Sequence, residues 1–497
     1  MSDSNVTYLG AGQGRRLRTF RPSNAGPNAS LRGMSTLLAR ARHNARNDAW
    51  EVAALDKRVA NAIATGIQAK ALWGTSDQRK AVDKLWKKWT KYSDADGVLT
   101  WFGQQALAWR EWDEAGEVFV RLRMRRASDG LPVPLQVQLI EAEQCPATYY
   151  GVAANGNAIR AGIEFDRIGR RVAYWMYQAH PGDIHMGEVN PLLLVRVPAE
   201  QIRHLYRPLR AGQLRGVPGS ASVLVRQYGL DRLQDSVLER QALANLYAGF
   251  FETPAADEDP EGPSGGAVAD LKTGQDIDGT PVAGLEPGTM QELPPGWKVN
   301  FSEPPGAGSD YAEFLRGNLM AIAAVRGVPY EVMTGDLRNV SDRALRLILN
   351  EFRRRIEMDQ WLYLIPQLCQ FVRDGFFDQA VLSGALQVQG YAELRDDVTE
   401  TMWVPEGWPY SHPVQDVDAD IKAIRAGITS RSRRTLAQGE DPEAVIDEIA
   451  ADNRAADERG LVLDSDPRKV SSAGLTQARP AGTRLPDTTG EEGEDAS

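Results

Sequence analysis

The chain has 497 residues, of which 42% are hydrophobic and 25% charged, and its formal net charge is −10. These values are ordinary for a globular protein with two or three packed regions. The acidic balance argues against a sequence-specific DNA reader that holds phosphates on a broad basic face, although an acidic protein can surround DNA to which it must not stick. No apolar run approaches the ~18 residues of a membrane helix, and the N-terminus lacks a signal-peptide pattern, so no membrane role is expected. Cys145 and Cys369 form no CxxC pair, which fits folding in a reducing cytosol.

The first half of the chain predicts helices and then strands. Residues 1–30 are rich in Gly, Asn, Ser and Arg, and we expect a flexible arm there. Helices are predicted over 31–67, over 77–92 and around Trp109 and Trp112. After these helices the spacing of the apolar residues changes from a helical period to alternation with polar residues.

Apolar and polar residues alternate in three runs, at 118–124, 135–139 and 172–176. This pattern predicts half-buried antiparallel strands. Residues 117–205 are therefore expected to form a β-rich region on a helical base.

The second half of the chain returns to the helical period. The predicted helices run from about Ala221 to Phe250, over 309–326, and from Ser341 towards Pro366, with a further piece ending at Gly375. The first of these would be ~45 Å long at 1.5 Å per residue. We expect two or three short helices over 412–460, separated near Gly427 and Gly439, and a disordered acidic tail over 471–497.

An irregular insert lies between the first two of these helices. Residues 252–267 are acidic and rich in Pro and Gly, which indicates a solvated loop, and short strands are expected around Asp278-Gly279 and from Lys298 to Phe301. One helix leading out and a second leading back predict a stalk with a small distal domain.

Several patterns suggest catalysis or metal binding, but each has a simpler explanation. Gly262-Pro263-Ser264-Gly265-Gly266 matches the G-x-S-x-G elbow of serine hydrolases, yet it lies in the Pro/Gly-rich loop and not between a strand and a helix. His180, Asp183 and His185 could bind a metal, but they flank a Pro-Gly turn and no second cluster completes a site. Asp94-Ala95-Asp96-Gly97 lacks the remaining ligands of a calcium loop and is predicted to be a turn.

No G-x-x-x-x-G-K-[ST] phosphate loop occurs in the chain. We therefore predict a protein that is not an enzyme, with no cofactor and no metal. The alternatives are a hydrolase or nuclease that uses Ser264 and scattered carboxylates, and an adaptor that binds partner proteins without enclosing DNA.

A loop between two predicted helices is the leading candidate for a functional segment. It follows Gly327-Val328-Pro329-Tyr330 and contains Thr334, Gly335, Asp336, Leu337, Arg338 and Asn339. Glycine and asparagine tolerate backbone angles that most residues resist, so the loop could shift while its flanking helices stay rigid.

The helix after this loop carries a basic stretch, formed by Arg343, Arg346, Arg353, Arg354 and Arg355. Three explanations stay open: a solvated face paired with Glu351 and Glu357, ion pairs between subunits, or contacts with nucleic acid.

Segments spread along the chain resemble the lambda-type portal proteins of tailed bacteriophages. In the order of that family they are Trp86-x-x-Trp89 with Asp96-Gly97, Gly116-Glu117, Leu139-Ile140-Glu141, the run from Ile159 to Arg170, Ala173-Tyr174-Trp175, the run from Val197 to His204, the run from Arg210 to Val217, Gly327-Val328-Pro329-Tyr330-Glu331 and Thr334-Gly335-Asp336. Each motif is weak alone, but their joint order over residues 35–430 is specific.

The resemblance implies an α+β portal fold and a ring of about twelve subunits, with cyclic symmetry, at one capsid vertex. The implied parts are a flexible arm (1–30), a β-rich wing (31–219), a stem helix (220–250), a small α/β clip (251–308), a second stem helix (309–327), a tunnel loop (328–342), a long helix linking wing and crown (343–399), a helical crown (400–460) and an acidic tail (461–497). Double-stranded DNA would pass through the channel without sequence specificity during packaging and ejection.

The implied partners are the large terminase subunit, the head–tail connector, and the major capsid and scaffold proteins. The implied location is the virion, after assembly in the host cytoplasm. Within this frame residues 334–339 would face the channel, and Arg343, Arg346, Arg353 and Arg354 would contact neighbouring subunits or DNA.

Overall fold

The structure is a computed structural model that describes residues 15, 18–183, 193–244, 250–252, 273–275, 281–283, 298–300, 311–338, 340–410, 412–463 and 468. The chain divides into two compact units. The first comprises Met1–Ala64 with Lys84–Leu394, and the second comprises Thr65–Asp83 with Arg395–Ser497. The mixture of helices with antiparallel sheets confirms the predicted α+β class.

The helices are α1 (Met34–Asn47), α2 (Ala49–Ala62), α3 (Ser76–Trp89), α4 (Trp101–Ala115), α5 (Leu224–Ala244), α6 (Tyr311–Arg326), α7 (Tyr330–Thr334), α8 (Asp342–Asp359), α9 (Gln370–Leu382), α10 (Tyr391–Thr399), α11 (Pro413–Arg425), α12 (Arg431–Ala437) and α13 (Pro442–Glu458). The strands are β1 (Gln68–Ala71), β2 (Glu117–Met124), β3 (Leu135–Ile140), β4 (Gly151–Val152), β5 (Ala158–Arg160), β6 (Ile163–Phe165), β7 (Arg171–Tyr177), β8 (Leu194–Pro198), β9 (Ile202–Tyr206), β10 (Phe250–Glu252), β11 (Thr273–Gln275), β12 (Pro281–Ala283), β13 (Lys298–Asn300) and β14 (Thr401–Val404). A π-helical segment, Gln360–Cys369, joins α8 to α9.

The end of the predicted N-terminal arm makes hydrogen bonds with the segment 212–214. The Asn28 side-chain amide donates to the Gly212 carbonyl at 3.0 Å, and the Leu214 N–H donates to Asn28 Oδ1 at 2.9 Å. Residues 1–14 lie outside the described part of the chain.

Two antiparallel sheets confirm the predicted β-rich region. One has the strand order β3-β2-β9 and the other has the order β4-β5-β6-β7-β8. They share an apolar core that includes Phe119, Ile163 and Tyr174. The central strand β2 is not half-buried as predicted, because Glu117 to Val120 are all buried. One face of β2 meets the second sheet and the other meets helices, so both faces are covered.

The predicted helix end at Gly375 is wrong. The chain stays helical from α8 through Pro366 and Gly375 to the end of α9 at Leu382. A Cβ at Gly375 would lie 2.6 Å from Leu122 Cδ1. The glycine therefore allows α9 to pack closely on β2, and it does not end the helix.

The predicted stem helix that was expected to end at Phe250 is also shorter than predicted. Helix α5 ends at Ala244 after 21 residues, or ~32 Å, and Phe250 lies in β10. Its predicted apolar face is only partly covered, because Leu230 is buried whereas Leu233 and Leu238 are exposed.

The insert between α5 and α6 contains two short antiparallel strand pairs, β10 with β13 and β11 with β12. The predicted strand near Lys298 is confirmed over Lys298–Asn300. Asp278-Gly279 lies outside the described residues, as do residues 253–267 of the predicted loop, including the Ser264 motif.

The second unit joins two distant parts of the chain. Strand β1, from the segment predicted as wing, pairs with β14, from the segment predicted as crown. Helices α11, α12 and α13 follow, and they are separated at Gly427 and Gly439 as predicted. Both glycines have positive φ. Lys70 Nζ lies 3.0 Å from an Asp441 carboxylate oxygen.

A buried ionic network connects the two sheets to the segment that leads to α5. Arg215 pairs with Glu117 through its Nε and Nη2 atoms, and its Nη1 donates to the carbonyls of Cys145 and Ala161 at 2.8 and 3.0 Å. His204 Nε2 lies 2.8 Å from Glu117 Oε2. Glu117, Arg215 and His204 are each at most 4% exposed.

The hydrogen bonds define the protonation state of His204. Arg171 Nη1 lies 2.9 Å from His204 Nδ1, and a guanidinium can only donate, so Nδ1 accepts and Nε2–H donates to Glu117. Burial, aided by Arg171 and Arg215, lowers the pKa of His204 to about 4 against the opposing effect of Glu117. Burial alone would raise the pKa of Glu117, but Arg215 and His204 lower it to about 2.

These shifts predict that the first unit loses stability in acid. Between pH 6.5 and 4 the unfolded histidine binds a proton that folded His204 does not, so the free energy of unfolding falls as the pH falls, by on the order of 3 kcal/mol. Below about pH 4.5, Glu117 binds a proton in the unfolded chain but not in the folded one, so the free energy of unfolding falls further. Thermal unfolding between pH 7.5 and 4.5 measures this. His204→Gln retains an amide donor towards Glu117, and we expect a flatter profile for it. An equal slope for the two proteins would contradict the assignment.

Candidate functional site

The predicted loop lies within a helix–turn–helix–loop–helix segment from α6 to α8. Gly327, with φ +66°, ends α6, and Pro329 precedes the single turn of α7. Gly335, with φ +73°, ends α7 and donates to the Glu331 carbonyl at 2.9 Å. Ser341 caps α8 by accepting from the Ala344 N–H at 3.3 Å. The helix–loop–helix prediction is confirmed, with α7 as an additional turn.

The loop is closed by an ion pair within the subunit. Arg338 donates from Nε and Nη2 to the two Asp336 carboxylate oxygens at 2.8 and 2.9 Å, and its backbone N–H donates to Oδ1 at 3.1 Å. Tyr330 Oη donates to Asp336 Oδ2 at 3.0 Å. The hydrogen bond from the Arg338 side chain holds the pKa of Asp336 well below its usual range. Asp336 is therefore paired within its own subunit.

The other predicted loop residues have distinct environments. The Thr334 hydroxyl donates to the Tyr330 carbonyl at 2.7 Å and accepts from the Asp336 N–H at 3.2 Å. Leu337 is 56% exposed, which is a high value for an apolar side chain. Asn339 lies outside the described residues.

The arginines of the basic stretch on α8 have different environments. Arg346 pairs with Asp342 one turn earlier. Arg343 and Arg354 are exposed, and within the described residues neither lies within ion-pair distance of a carboxylate. Arg353 is half-buried and makes an interaction of its own. Of the four apolar residues that share one face of this helix, Phe352 and Ile356 are buried, whereas Leu345 and Leu349 are half-buried.

A buried arginine–carboxylate cluster, absent from the sequence prediction, holds the base of this segment. Arg326 ends α6, donates to Asp113 Oδ2 at 2.8 Å and lies 3.2 Å from Glu51 Oε1. Arg58 donates to the same Asp113 oxygen at 3.0 Å and to Asp359 at 3.2 Å. Burial would raise the pKa of Asp113, but Arg326 and Arg58 lower it, so Asp113 is ionised. The cluster ties α2, α4, α6 and α8 together.

Of the predicted metal-binding residues, His180 lies in a group of possible ligands, but the other members of that group were not predicted. His180 lies near Glu141 and Glu143, with one ligand atom of each within 4.8 Å of the others, whereas His185 is outside the described residues. Arg42 already pairs with this acidic group, at 3.1 Å from Glu143 and 3.8 Å from Glu141. Arg42 also pairs with Glu111 and Glu114, so a single guanidinium is shared by four carboxylates of this acidic group.

Of the two other candidate sites, the Asp94 segment forms a turn, and the Ser264 motif lies outside the described residues. Asp94 accepts the N–H groups of Val98 and Leu99 at 3.0 and 2.8 Å, as the predicted turn requires. Within the described residues, every helix is too short or too polar to span a bilayer.

The chain is similar to several known proteins. A family model described as "Phage portal protein, lambda family" matches residues 13–360. A "Probable portal protein" of Halomonas phage phiHAP-1 is 26% identical over 424 residues, which cover 83% of this chain and 78% of that protein. "Portal protein B" of Escherichia phage lambda is 21% identical over 349 residues, covering 64% of this chain and 62% of that protein. A chain from the solved "Neck of native GTA particle computed with C12 symmetry" aligns with a TM-score of 0.46 at 14% identity, covering 83% of this chain and 94% of that one.

Proposed function

The chain belongs to the lambda family of phage portal proteins, and on this premise we propose that about twelve copies form a cyclic ring around a channel for double-stranded DNA. The observation that carries this proposal is the family match over residues 13–360. The ring would occupy one capsid vertex, and DNA would pass through it during packaging and ejection. The family is structural and not catalytic.

The unpaired surfaces of α5 support self-association. Val225 is 82% exposed, Tyr228 60% and Leu238 68%, although all three lie on a helix whose sequence predicts a buried apolar face. Helix α5 pairs with α6 in the same subunit, where Arg226 donates to Asn318 Oδ1 at 2.9 Å. We propose that these exposed apolar side chains contact neighbouring copies in the ring.

The first test is the oligomeric state. We expect the purified protein to form rings with a central hole in negative-stain images and a ring-sized mass by native mass spectrometry. Leu238→Asp should place a charge in the proposed contact, and a penalty of ~1.4 kcal/mol would weaken each contact roughly tenfold. Val98→Asp, at an 81% exposed turn residue, is the control and should assemble normally. A wild-type protein that stays monomeric, even with capsid and scaffold proteins, would contradict the ring.

The remaining partners follow from the proposed position of the ring. The insert between α5 and α6 would be the clip, which meets the large terminase subunit during packaging and the head–tail connector afterwards. Major capsid and scaffold proteins would surround the ring, which would assemble in the host cytoplasm and remain in the virion. DNA would be contacted without sequence specificity, because a net acidic wall repels phosphate and avoids trapping it.

We further propose that residues 334–339 face the channel. Arg338→Ala should leave rings intact, because the Asp336–Arg338 pair lies within one subunit. It should reduce the DNA retained per capsid, because it opens the loop and leaves Asp336 as an uncompensated negative charge. Packaging and retention assays measure this.

The double variant Asp336→Asn with Arg338→Ala separates charge from loop conformation. It removes both charges, so recovery of retention would assign the defect to charge, whereas continued loss would assign it to the opened loop. Normal packaging and full retention in all variants would show that the segment is an ordinary surface turn.

The two alternatives lead to different measurements. An adaptor without a channel would not form closed rings around a hole. A hydrolase or nuclease would show activity that Ser264→Ala abolishes, whereas we expect neither ATP hydrolysis nor DNA cleavage when terminase is absent.

A further inference from the structure

The first unit contains a cleft of about 380 Å³ beside the base of the loop segment. Its charged lining consists of Arg58, Arg207, Arg326, Arg355, Asp113 and Asp359. Residues 217–219, 221 and 222 form part of the remaining wall. The cleft therefore presents arginines to a space that is large enough for a small solvated group.

The charges around this cleft do not balance. Asp113 is shared by Arg58 and Arg326, and Asp359 is shared by Arg58 and Arg207. Glu51, behind Arg326, is the third carboxylate of the cluster. Arg355 is the fourth guanidinium, so four arginines face three carboxylates.

Arg355 is the arginine of this cluster that pairs with none of its carboxylates. Within the described part of the chain no carboxylate lies within ion-pair distance of it, although it is only half-exposed. Burial lowers the pKa of Arg355, and the charges of Arg58 and Arg207 lower it further, whereas Asp359 and Asp113 act against this shift. A partly desolvated cation that no carboxylate contacts directly is costly, so we expect the folded subunit to gain stability if an anion enters.

The position of Arg355 is fixed by the fold. Its guanidinium lies directly against Gly327, where a Cβ would come within 2.1 Å of Arg355 Cζ. Gly327 opens the Gly-Val-Pro-Tyr motif and has φ +66°, a backbone conformation that favours glycine. The motif thus holds one uncompensated guanidinium at the cleft.

We propose that this cleft is an anion site in which Arg355, assisted by Arg207, binds one oxyanion, either a carboxylate or a phosphate. Arg207 donates to Asp359 through Nη1 at 3.2 Å and is 33% exposed, so its other N–H groups can reach a ligand. Planar guanidinium groups bind carboxylate and phosphate oxygens in pairs, which favours these ligands over a halide. The anion comes either from free phosphate or from an acidic side chain of a neighbouring copy, and the second source rests on the proposed ring.

The first experiment uses dispersed full-length chain and inorganic phosphate. Thermal unfolding is followed as phosphate replaces chloride at constant ionic strength. We expect phosphate to raise the Tm of the wild type and of Arg354→Met, which removes the exposed neighbouring arginine. The apparent affinity of Arg355→Met for phosphate should be weaker by at least about tenfold.

A second readout of the same experiment excludes a merely structural role for Arg355. Without phosphate, Arg355→Met should be no less stable than the wild type, because it removes an uncompensated charge and retains most of the aliphatic side chain. Loss of stability without phosphate, together with an unchanged response to phosphate, would overturn the proposal.

The second experiment identifies the source of the anion in rings. If a neighbouring carboxylate occupies the cleft, assembled wild-type rings will not respond to phosphate, and Arg355→Met rings will dissociate at a lower salt concentration than rings of the control Arg167→Met. If free phosphate is the ligand, rings and dispersed chains will respond alike. Equal behaviour of Arg355→Met and both controls in every measurement overturns the anion site. Failure to form rings counts only against the proposed assembly, because the dispersed chains still decide whether the cleft binds an anion.

Discussion

Replacing Arg215 with methionine is expected to destabilise the first unit by about 3–5 kcal/mol, the usual cost of removing one partner from a buried ion pair. Arg215 is 1% exposed, and its loss leaves Glu117 buried with only His204 and the Gly216 N–H as donors. The carbonyls of Cys145 and Ala161 also lose a donor. Denaturant-induced unfolding, followed by tryptophan fluorescence, measures the change.

Arg170→Met is the matched control for this prediction. Arg170 also pairs with a carboxylate, Asp166, at 2.8 Å, but its side chain is 75% exposed. An exposed pair contributes little because solvent and salt screen it, so no measurable change is expected. Equal midpoints for Arg215→Met and Arg170→Met would show that the buried network does not stabilise the fold.

A double variant tests whether the unpaired carboxylate causes the loss. Glu117→Gln combined with Arg215→Met leaves no buried charge of either sign at this point. We expect it to be more stable than Arg215→Met alone, because the two residues interact directly and their effects are not additive. A double variant less stable than the single one would assign the loss to packing.

This network explains why the family motifs occur together. Glu117, His204 and Arg215 come from three segments that resemble portal proteins at separate places in the sequence, and in the structure they form one cluster. The sequence shows the order of these motifs but not their proximity, because sheet pairing brings together residues about a hundred positions apart. These three motifs therefore specify a fold and not a site of chemistry.

Periodicity predicted most of the elements because the order of apolar and polar residues follows the period of a helix or a strand. The strand runs near 120, 137 and 174 and the short helices of the second unit were found in this way. The errors arose where a tertiary contact overrides a local signal. Gly375 lies inside a helix because Leu122 packs against it, and α5 ends before Phe250 because that residue pairs in a strand.

The candidate site was predicted only in outline. The sequence placed Asp336 and Arg338 in one loop, but a spacing of two residues does not reveal whether they pair with each other or with another molecule. The buried ion pairs of α2, by contrast, could have been predicted from the sequence. Glu51 and Arg58 share a helical stripe with the buried Ala54 and Leu55, and charged residues on such a stripe indicate buried ion pairs.

Gly216→Ala is expected to be among the most damaging single substitutions in the chain. A Cβ at Gly216 would lie 2.0 Å from the Gly116 carbonyl oxygen and 2.5 Å from its carbonyl carbon. Both contacts are with backbone that lies next to buried Glu117, so neither side can move without disturbing the Arg215 network. Gly216 does not have positive φ, so it is required for space alone.

We expect Gly216→Ala to cost about 3 kcal/mol or more, at the upper end of the cost of overpacking a core. Soluble yield and the denaturation midpoint of the first unit measure this. Gly229→Ala, inside α5 with no atom within 4 Å of the new Cβ, is the control and should raise helix stability by up to ~1 kcal/mol. If Gly216→Ala lowers stability and Gly229→Ala raises it, the loss of stability comes from the close approach of two backbone segments and not from the loss of glycine itself. A Gly216→Ala protein as stable as the wild type would show that the crossing at Gly116 can open without cost.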